Sequence, residues 1–470
     1  MTTPRRNATP PVRRSLRDIL RASPRLADRW LWGARRRVRL SDAAYGTGLG
    51  GRLAELAGRT ALIRVGDPIF AALALIELDG VARRVVLCPP DLSDDDLPYV
   101  IETAGIDVLV ADKEPAPSLR RLDFALIGAP AAALAAEPTS THDTEWVMFT
   151  SGTSGRPKMV VHSLAGLTGA IRPAAADEPP PIWGTFYDIR RYGGLQILLR
   201  GLVGEGSLVL TAPHEPMTRL LGRLSRRGAT HITGTPSHWR AALMNPALRT
   251  LAPRYLRLSG EIADQAVLDT LKAAFPHVPV GHAYASTEAG VGFEVTDRLE
   301  GFPASFVGAG GAVEMKVEDG SLRIRSGRTA SHYLGPDAPA LIEADGFVDT
   351  GDMVERRGDR FYFVGRRNGV INVGGLKVHP EEVEAVINGH PAVRMSLVRG
   401  RRNPITGAIV VADVVLNEAE PVAGPAAAAI REQIMTACRA RLAPFKSPAS
   451  VRFVPSLAMT AGGKLERTFA

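Results

Sequence analysis

Thr150, Ser151, Gly152, Thr153, Ser154 and Gly155 place four hydroxyls and two glycines in succession, directly after the apolar run Trp146–Phe149 and just before Arg156-Pro157-Lys158. A β-prone run that breaks into such a stretch predicts a strand opening into a loop. Glycine permits unusual dihedrals and close approach, so backbone N–H and side-chain O–H donors can wrap a phosphate, with Lys158 as a point charge beside them. It is not a Walker loop, because the position five on from Gly152 is Pro157 where that motif needs glycine. A Gly/Ser-rich stretch on its own is most often an ordinary turn.

The 470 residues, 45% hydrophobic and 23% charged, exceed the usual size of one compact domain and predict two or more. Short runs with β-branched residues, Ala61–Val65, Arg84–Leu87 and Val108–Ala111, alternate with helical patterns over Ala71–Leu78 and Leu97–Ala104, an α/β pattern. Pro- and Ala-rich stretches at Pro115–Pro117, Ala129–Pro138 and Ala174–Pro181 read as loops. Strand patterns at Arg360–Val364 and Val370–Val373 and a helix opening at Pro380 mark a smaller α+β unit from near Gly365.

The formal charge of +8 is local: residues 1–40 hold twelve Arg against Asp18 and Asp28, so the rest of the chain carries a slight negative excess. A nucleic-acid module would spread cations and aromatics over a folded face, and none is expected to bind here. The basic segment has no apolar core like that of an export signal and reads as a solvated arm over residues 1–45. No run of about 18 apolar residues occurs, so membrane insertion is not expected. Cys88 and Cys438 lack metal-ligand companions, which suits a reducing cytoplasm.

Three further strings follow the loop in order: Tyr284-Ala-Ser-Thr-Glu-Ala-Gly290, Phe347-Val-Asp-Thr-Gly-Asp352 with Gly365-Arg366 after it, and Thr460-Ala-Gly-Gly-Lys-Leu-Glu-Arg467. Singly, Asp352 reads as a turn residue and Lys464 as solvated charge. Together with Thr150–Lys158, they resemble the motifs of the adenylate-forming superfamily, which includes acyl- and aryl-CoA ligases, peptide-synthetase adenylation domains and luciferases. The resemblance runs from about Thr60 to Arg467, and the residues before Thr60 match poorly.

The resemblance implies an α/β fold with a large N-terminal domain of mixed sheets and helices over 46–365 and a small mobile α+β C-terminal domain over 366–470. It implies ATP, Mg2+ and CoA as cofactors and co-substrate, with a phosphopantetheinylated carrier protein as the rival acceptor, a small carboxylic acid as substrate, and leaves a homodimer open. Tyr284 would stack on adenine, Thr287 contact the α-phosphate, Glu288 hold magnesium, Asp352 and Arg366 bind ribose, and Lys464 serve adenylation. Gly260 and Glu261 would approach adenine and substrate. Asn368 stands at the hinge, commonly Asp or Lys, and Gly374 and Gly375 would face the pantetheine arm after rotation. Attack on an α-phosphorus concentrates negative charge, which a hard cation and hydroxyl donors offset.

The acid pocket is expected around Tyr187, Asp188, Arg191, Tyr192, Gly193 and Thr233. Tyr187-Asp188 echoes the aromatic–Asp pair of amino-acid-activating relatives, but Asp188 also reads as the N-cap of a helix over Ile189–Arg200, and that reading is preferred. Gly193 and Gly194 would leave room for a chain or ring. A catalytically silent homologue should have lost Lys464, Glu288 or Asp352, and all three are present.

Overall fold

The computed structural model describes residues 14–467 except 117–118, 120–121, 131, 134–141, 151–155, 176, 405, 418–423 and 461–462. Ser151, Gly152, Thr153, Ser154 and Gly155 therefore lie outside the described residues.

The fold is α/β. Thr60–Arg64 and Val108–Ala111, rich in Val, Ile and Leu, are the fully buried kind of strand, and they pair in parallel at the heart of a seven-stranded sheet. Its order is His332–Tyr333, Met159–His162, Glu145–Phe149, Arg84–Leu87, Thr60–Arg64, Val108–Ala111, Asp123–Leu126. An eight-stranded sheet runs Gly290–Val295, Val280–Ser286, Tyr255–Ser259, His231–Gly234, Ile182–Thr185, Ser207–Val209, Trp30–Trp32, Arg37–Arg39, parallel through its centre and antiparallel at both edges.

The largest hydrophobic cluster takes residues from both sheets and from the helices Pro68–Leu78 and Tyr192–Val203. Every residue of Pro68–Leu78 is buried, so this helix is apolar all round because it is covered all round. Asp67 caps it by accepting from the Ile69 N–H at 3.0 Å, with Pro68 in its first turn.

An antiparallel sheet follows, ordered Phe302–Pro303, Arg360–Arg366, Val348–Arg357, Ser321–Ser326, Val313–Glu318. The C-terminal unit lays the helices Pro380–Asn388 and Gly424–Arg441 on the strands Val393–Asn403, Gly407–Leu416 and Ser450–Phe453, around a separate apolar cluster.

The solvated-arm expectation for residues 1–45 is corrected over 14–45. Trp30–Trp32 and Arg37–Arg39 complete the eight-stranded sheet, and Leu16, Leu20, Leu31 and Leu40 are wholly buried. Arg17 and Arg29 are structural. Arg29, 2% exposed, donates to the carbonyls of Gly201 at 2.7 Å, Leu202 at 2.5 Å and Gly206 at 3.0 Å, and to Ser23 Oγ at 2.8 Å. Its guanidinium thus satisfies the orphan carbonyls where the helix Tyr192–Val203 ends, the terminus at which the helix dipole favours a cation. Burial pushes Arg29 down to about 10, against the pull of Glu205. Arg17 lies 3.8 Å from Glu77 in the core.

Arg29→Met strands these buried carbonyls and is expected to lower unfolding stability by about 3 kcal/mol in urea titrations, as loss of several charged hydrogen bonds implies. A change under about 0.5 kcal/mol, the size of an ordinary surface substitution, would return Arg29 to the surface.

Candidate functional site

The segments around Thr150, Gly260, Tyr284, Asp352 and Lys464 come from three sheets and the C-terminal end of the described residues, and side-chain contacts link most of them. Thr150 and Lys158 are held together because the strands Glu145–Phe149 and Met159–His162 pair antiparallel, and the Thr150 N–H donates to the Lys158 carbonyl at 3.0 Å. The phosphate-loop segment is the connection between them.

Lys158 Nζ lies 5.7 Å from the centre of the Tyr333 ring, and the Tyr333 hydroxyl donates to Glu288 Oε1 at 3.3 Å. Loop cation and Glu288 carboxylate thus share one neighbour. Tyr333 carried no sequence signal; it arrives because His332–Tyr333 pairs with Met159–His162, setting Tyr333 beside Val160. Thr287 is anchored through its carbonyl, which lies 2.8 Å from His162 Nε2. Burial pushes His162 down to about 4, so the neutral ring donates to that carbonyl.

Asp352 and Arg366 are cross-strand partners, and Arg366 Nε donates to Asp352 Oδ1 at 2.9 Å. The Tyr284 hydroxyl donates to Asp352 Oδ2 at 2.6 Å, while its ring stacks on Phe293 and Phe363 with centroids 5.6 and 5.2 Å away. Burial, then the neighbouring Asp352, raises the Tyr284 pKa, keeping it a neutral donor.

The C-terminal motif docks on the opposite wall. Gly260, at φ +87°, leaves room for Lys464: a Cβ there would lie 3.4 Å from Lys464 Cε and 4.0 Å from Nζ. Glu261 Oε1 accepts from Ser237 Oγ at 3.0 Å and from the Leu465 N–H at 3.1 Å, and Oε2 from the Ser237 N–H at 2.9 Å. Thr235 Oγ1 donates to the Gly463 carbonyl at 2.7 Å, and Arg467 forks onto Glu384 at 2.9 and 2.6 Å. Lys464 keeps access to solvent, yet the crowding lowers its pKa, and Glu261, Arg366, Asp352 and Arg191 are the charges that act on it. Lys464 and the Asp352–Arg366 pair therefore share one electrostatic environment.

Thr235 and His238 complete this wall. They form a capping box for the helix Pro236–Leu243, a pattern of the Thr-x-x-polar kind that local sequence carries. The His238 ring covers Gly463 so closely that a Cβ there would lie 1.8 Å from its Cε1.

The acid-pocket expectations divide. Tyr187 is buried and its hydroxyl donates to the Ser259 carbonyl at 2.7 Å; Tyr192 is buried with its ring 5.5 Å from that of His162. Thr233 is buried in the strand His231–Gly234. Arg191 pairs with Asp91. The N-cap reading of Asp188 is corrected: the helix begins at Tyr192 after Arg191, and Asp188 instead forks onto Arg190 at 2.8 and 2.6 Å. That pair is buried, so Asp188 is also committed away from an amine. Gly194 does not make room for substrate either. A Cβ there would lie 2.1 Å from the Asp188 carbonyl oxygen, so the glycine admits the chain's own close turn, while at Gly193 a Cβ would meet Tyr187 at an ordinary 3.8 Å.

Asn368 is exposed in the short helical turn Arg367–Gly369, and Gly374 and Gly375, at φ +60° and +88°, form the exposed turn between Ile371–Val373 and Leu376–Val378. A Cβ at either glycine would touch nothing. Among the described residues no helix is long and apolar enough to cross a membrane.

A family model described as "AMP-binding enzyme" matches residues 67–327, and one described as "AMP-binding enzyme C-terminal domain" matches residues 382–464. The chain is 27% identical, over an alignment of 493 residues covering 92% of it and 96% of the relative, to a feruloyl-CoA synthase from an Amycolatopsis species. It is 28% identical over 341 residues, 69% of each chain, to a 2-succinylbenzoate–CoA ligase from Listeria innocua. The fold is similar to that of an anthranilate CoA ligase in complex with anthranoyl-AMP, with a TM-score of 0.79 at 20% identity over 97% of this chain and 96% of that one.

Gly463→Ala should undock the segment carrying Lys464, because neither the His238 ring nor the positive φ of +71° accommodates a methyl. Tryptic cleavage after Lys464 should accelerate roughly tenfold, the effect of about 1.4 kcal/mol lost from docking. Unchanged cleavage would mean that the His238 contact does not hold the segment.

Proposed function

This chain belongs to the AMP-binding enzyme family, and from that premise we propose that it activates a carboxylic acid with ATP and transfers the acyl group to the thiol of CoA. A carboxylate oxygen of the acid attacks the α-phosphorus as the bond to pyrophosphate breaks, giving acyl-AMP. The thiol sulfur then attacks the acyl carbon, the bond to the AMP oxygen breaks, and the thiol proton leaves to solvent. No protein nucleophile is required.

The observation that carries this reading is the approach of Lys464 to Gly260, with Asp352 and Arg366 among the charges that act on it. An ammonium there offsets charge as it develops between carboxylate and α-phosphate. Asp352, held by Arg366 and Tyr284, is oriented to accept ribose hydroxyls, and Tyr284 presents its ring toward the base. Thr150, residues 151–155 and Lys158 would hold the phosphates, and Thr287, anchored to His162 through its carbonyl, would contact the α-phosphate.

Glu288 fits a magnesium ion that arrives on phosphate oxygens, because such an ion keeps most of its shell from phosphates and water and takes one or two carboxylates. When bound, it neutralises charge on the transferring phosphates. The relatives named as CoA synthase and CoA ligase favour CoA over a carrier protein as acceptor.

Domain boundaries near Gly365 and a hinge at Asn368 belong to the same proposal. Lys464 serves the first half-reaction docked as it is, and rotation about Asn368 would withdraw it and bring Gly374 and Gly375 to the thiol. Hinges of this kind absorb large dihedral changes in few residues, which an exposed Asn tolerates.

Acid-dependent pyrophosphate release over a panel of aryl, fatty and amino acids, with and without CoA, tests the reading. Release with at least one acid, falling roughly 10²- to 10³-fold in Lys464→Ala and rising in turnover with CoA, is expected. Release that is indifferent to Lys464 would overturn it, and turnover raised by a carrier protein in place of CoA would change the acceptor.

The pH profile provides a separate check. Adenylation needs the ammonium form, which is lost as pH rises through the Lys464 pKa, and the protein atoms crowded around this solvent-accessible lysine lower that pKa. The alkaline limb of adenylation should therefore fall below the pH range of an ordinary lysine, near 10.4, and disappear from the residual activity of Lys464→Ala. A limb shared by both proteins would assign it elsewhere.

A further inference from the structure

Behind Tyr187 and Tyr192 the fold buries more positive charge than it balances. Arg257, on the strand Tyr255–Ser259, is 4% exposed; its Nε donates to Glu294 Oε1 at 3.1 Å, but its Nη2 has no hydrogen-bond partner among the described residues. Arg200, on the helix Tyr192–Val203, has a buried Nε that is likewise unpartnered. Arg328 donates to the Val291 carbonyl at 3.2 Å. Neither Arg200 nor Arg328 has an ion-pair partner among the described residues, and the carboxylate paired with Arg257, Glu294, already accepts from the Tyr255 hydroxyl.

These groups feel one another. Arg200 is pushed down to about 10 by burial and then by Arg257, while Arg200, Arg328 and Arg257 all act on the Tyr192 hydroxyl and Arg257 on that of Tyr187. A guanidinium N–H that is buried and unpaired is costly, and two beside each other more so. A purely structural network would end in matched carboxylates or carbonyls, as Arg29 and Arg467 do. This one leaves Arg257 Nη2 and Arg200 Nε without partners among the described residues, next to the residues expected to line the acid pocket.

We propose that Arg257, with Arg200 and Arg328 behind it, receives a second carboxylate on the acid substrate, so that the acid activated is a dianion. The inference rests on the ligase reading above. Arg257 lies three residues before Gly260, where Lys464 docks, a span of about 10 Å of extended chain. Arg257 is a specificity-determining residue here and takes no part in the bond-making steps.

The test uses matched pairs of aryl and alkyl acids that differ only in a distal carboxylate or its methyl ester, with kcat and KM taken from pyrophosphate release by the full chain. The dianion should be preferred roughly 30-fold in kcat/KM, the scale of one charged hydrogen-bond pair. Arg257→Met should bring that ratio close to one, mainly through KM, and Arg257→Lys should restore part of it, which a variant that merely misfolds would not do. Equal or better turnover of the esters by the unaltered enzyme overturns the proposal and leaves the ligase reading standing, as does a preference that survives in Arg257→Met. If no acid of either kind releases pyrophosphate, calorimetry with the dianions alone separates the two claims. Binding that weakens in Arg257→Met would sustain the anion site and sink the ligase reading, and absence of binding would overturn the site.

Discussion

The cleft depends on the Glu261 carboxylate. It sits just past the strand Tyr255–Ser259, holds the first turn of the helix Pro236–Leu243 through Ser237, and accepts from the backbone of Leu465. Thr235 and His238 from the same turn grip Gly463. Two short segments of one parallel sheet thus seize the end of a chain that has passed through a further sheet and a separate C-terminal core. Charged acceptors bonded to backbone N–H groups are among the stronger hydrogen bonds, and this one carries Lys464 to Gly260.

Upstream of that contact, the parallel sheet owes its edge to the arginine-rich N-terminal segment. Arg29 closes the carbonyl end of the helix Tyr192–Val203, the same helix that opens with Tyr192 and carries Arg200. The segment that looks most expendable by composition therefore braces that helix. Downstream, the Asp352–Arg366 register ties the antiparallel sheet to Tyr284. Stability and site geometry are supported by the same few buried charged groups.

Much of this was legible in local sequence. The strands around Leu62, Val86 and Leu109 and the helical patterns over Ala71–Leu78 and Leu97–Ala104 follow from apolar runs and β-branching, although the first helix in fact starts at Pro68. The N-cap at Asp188 failed in position: Asp188 Oδ1 accepts from the Arg190 N–H at 2.8 Å as well as from its guanidinium, but the turn this closes is not the helix, which starts at Tyr192 after Arg191. The solvated arm failed because arginine counts as surface charge until its guanidinium meets a row of helix-end carbonyls. Tyr333 was unreadable, since its approach to Glu288 depends on an edge pairing with a strand some 170 positions earlier.

By itself the sequence determined which chemistry is present: hydroxyls and glycines before Lys158, then Glu288, Asp352 and Lys464 in fixed order, because those groups are legible as residue types at short spacings. What it could not determine is where long-range contacts send each charge. Only the tertiary structure decided that Lys464 meets Gly260, that Asp188 is neutralised by Arg190, and that Arg257 is buried with donors to spare. The physical reason is that burial and pairing are properties of side chains from distant strands brought within a few ångströms, and no local pattern encodes which distant carboxylate a buried cation will find or lack.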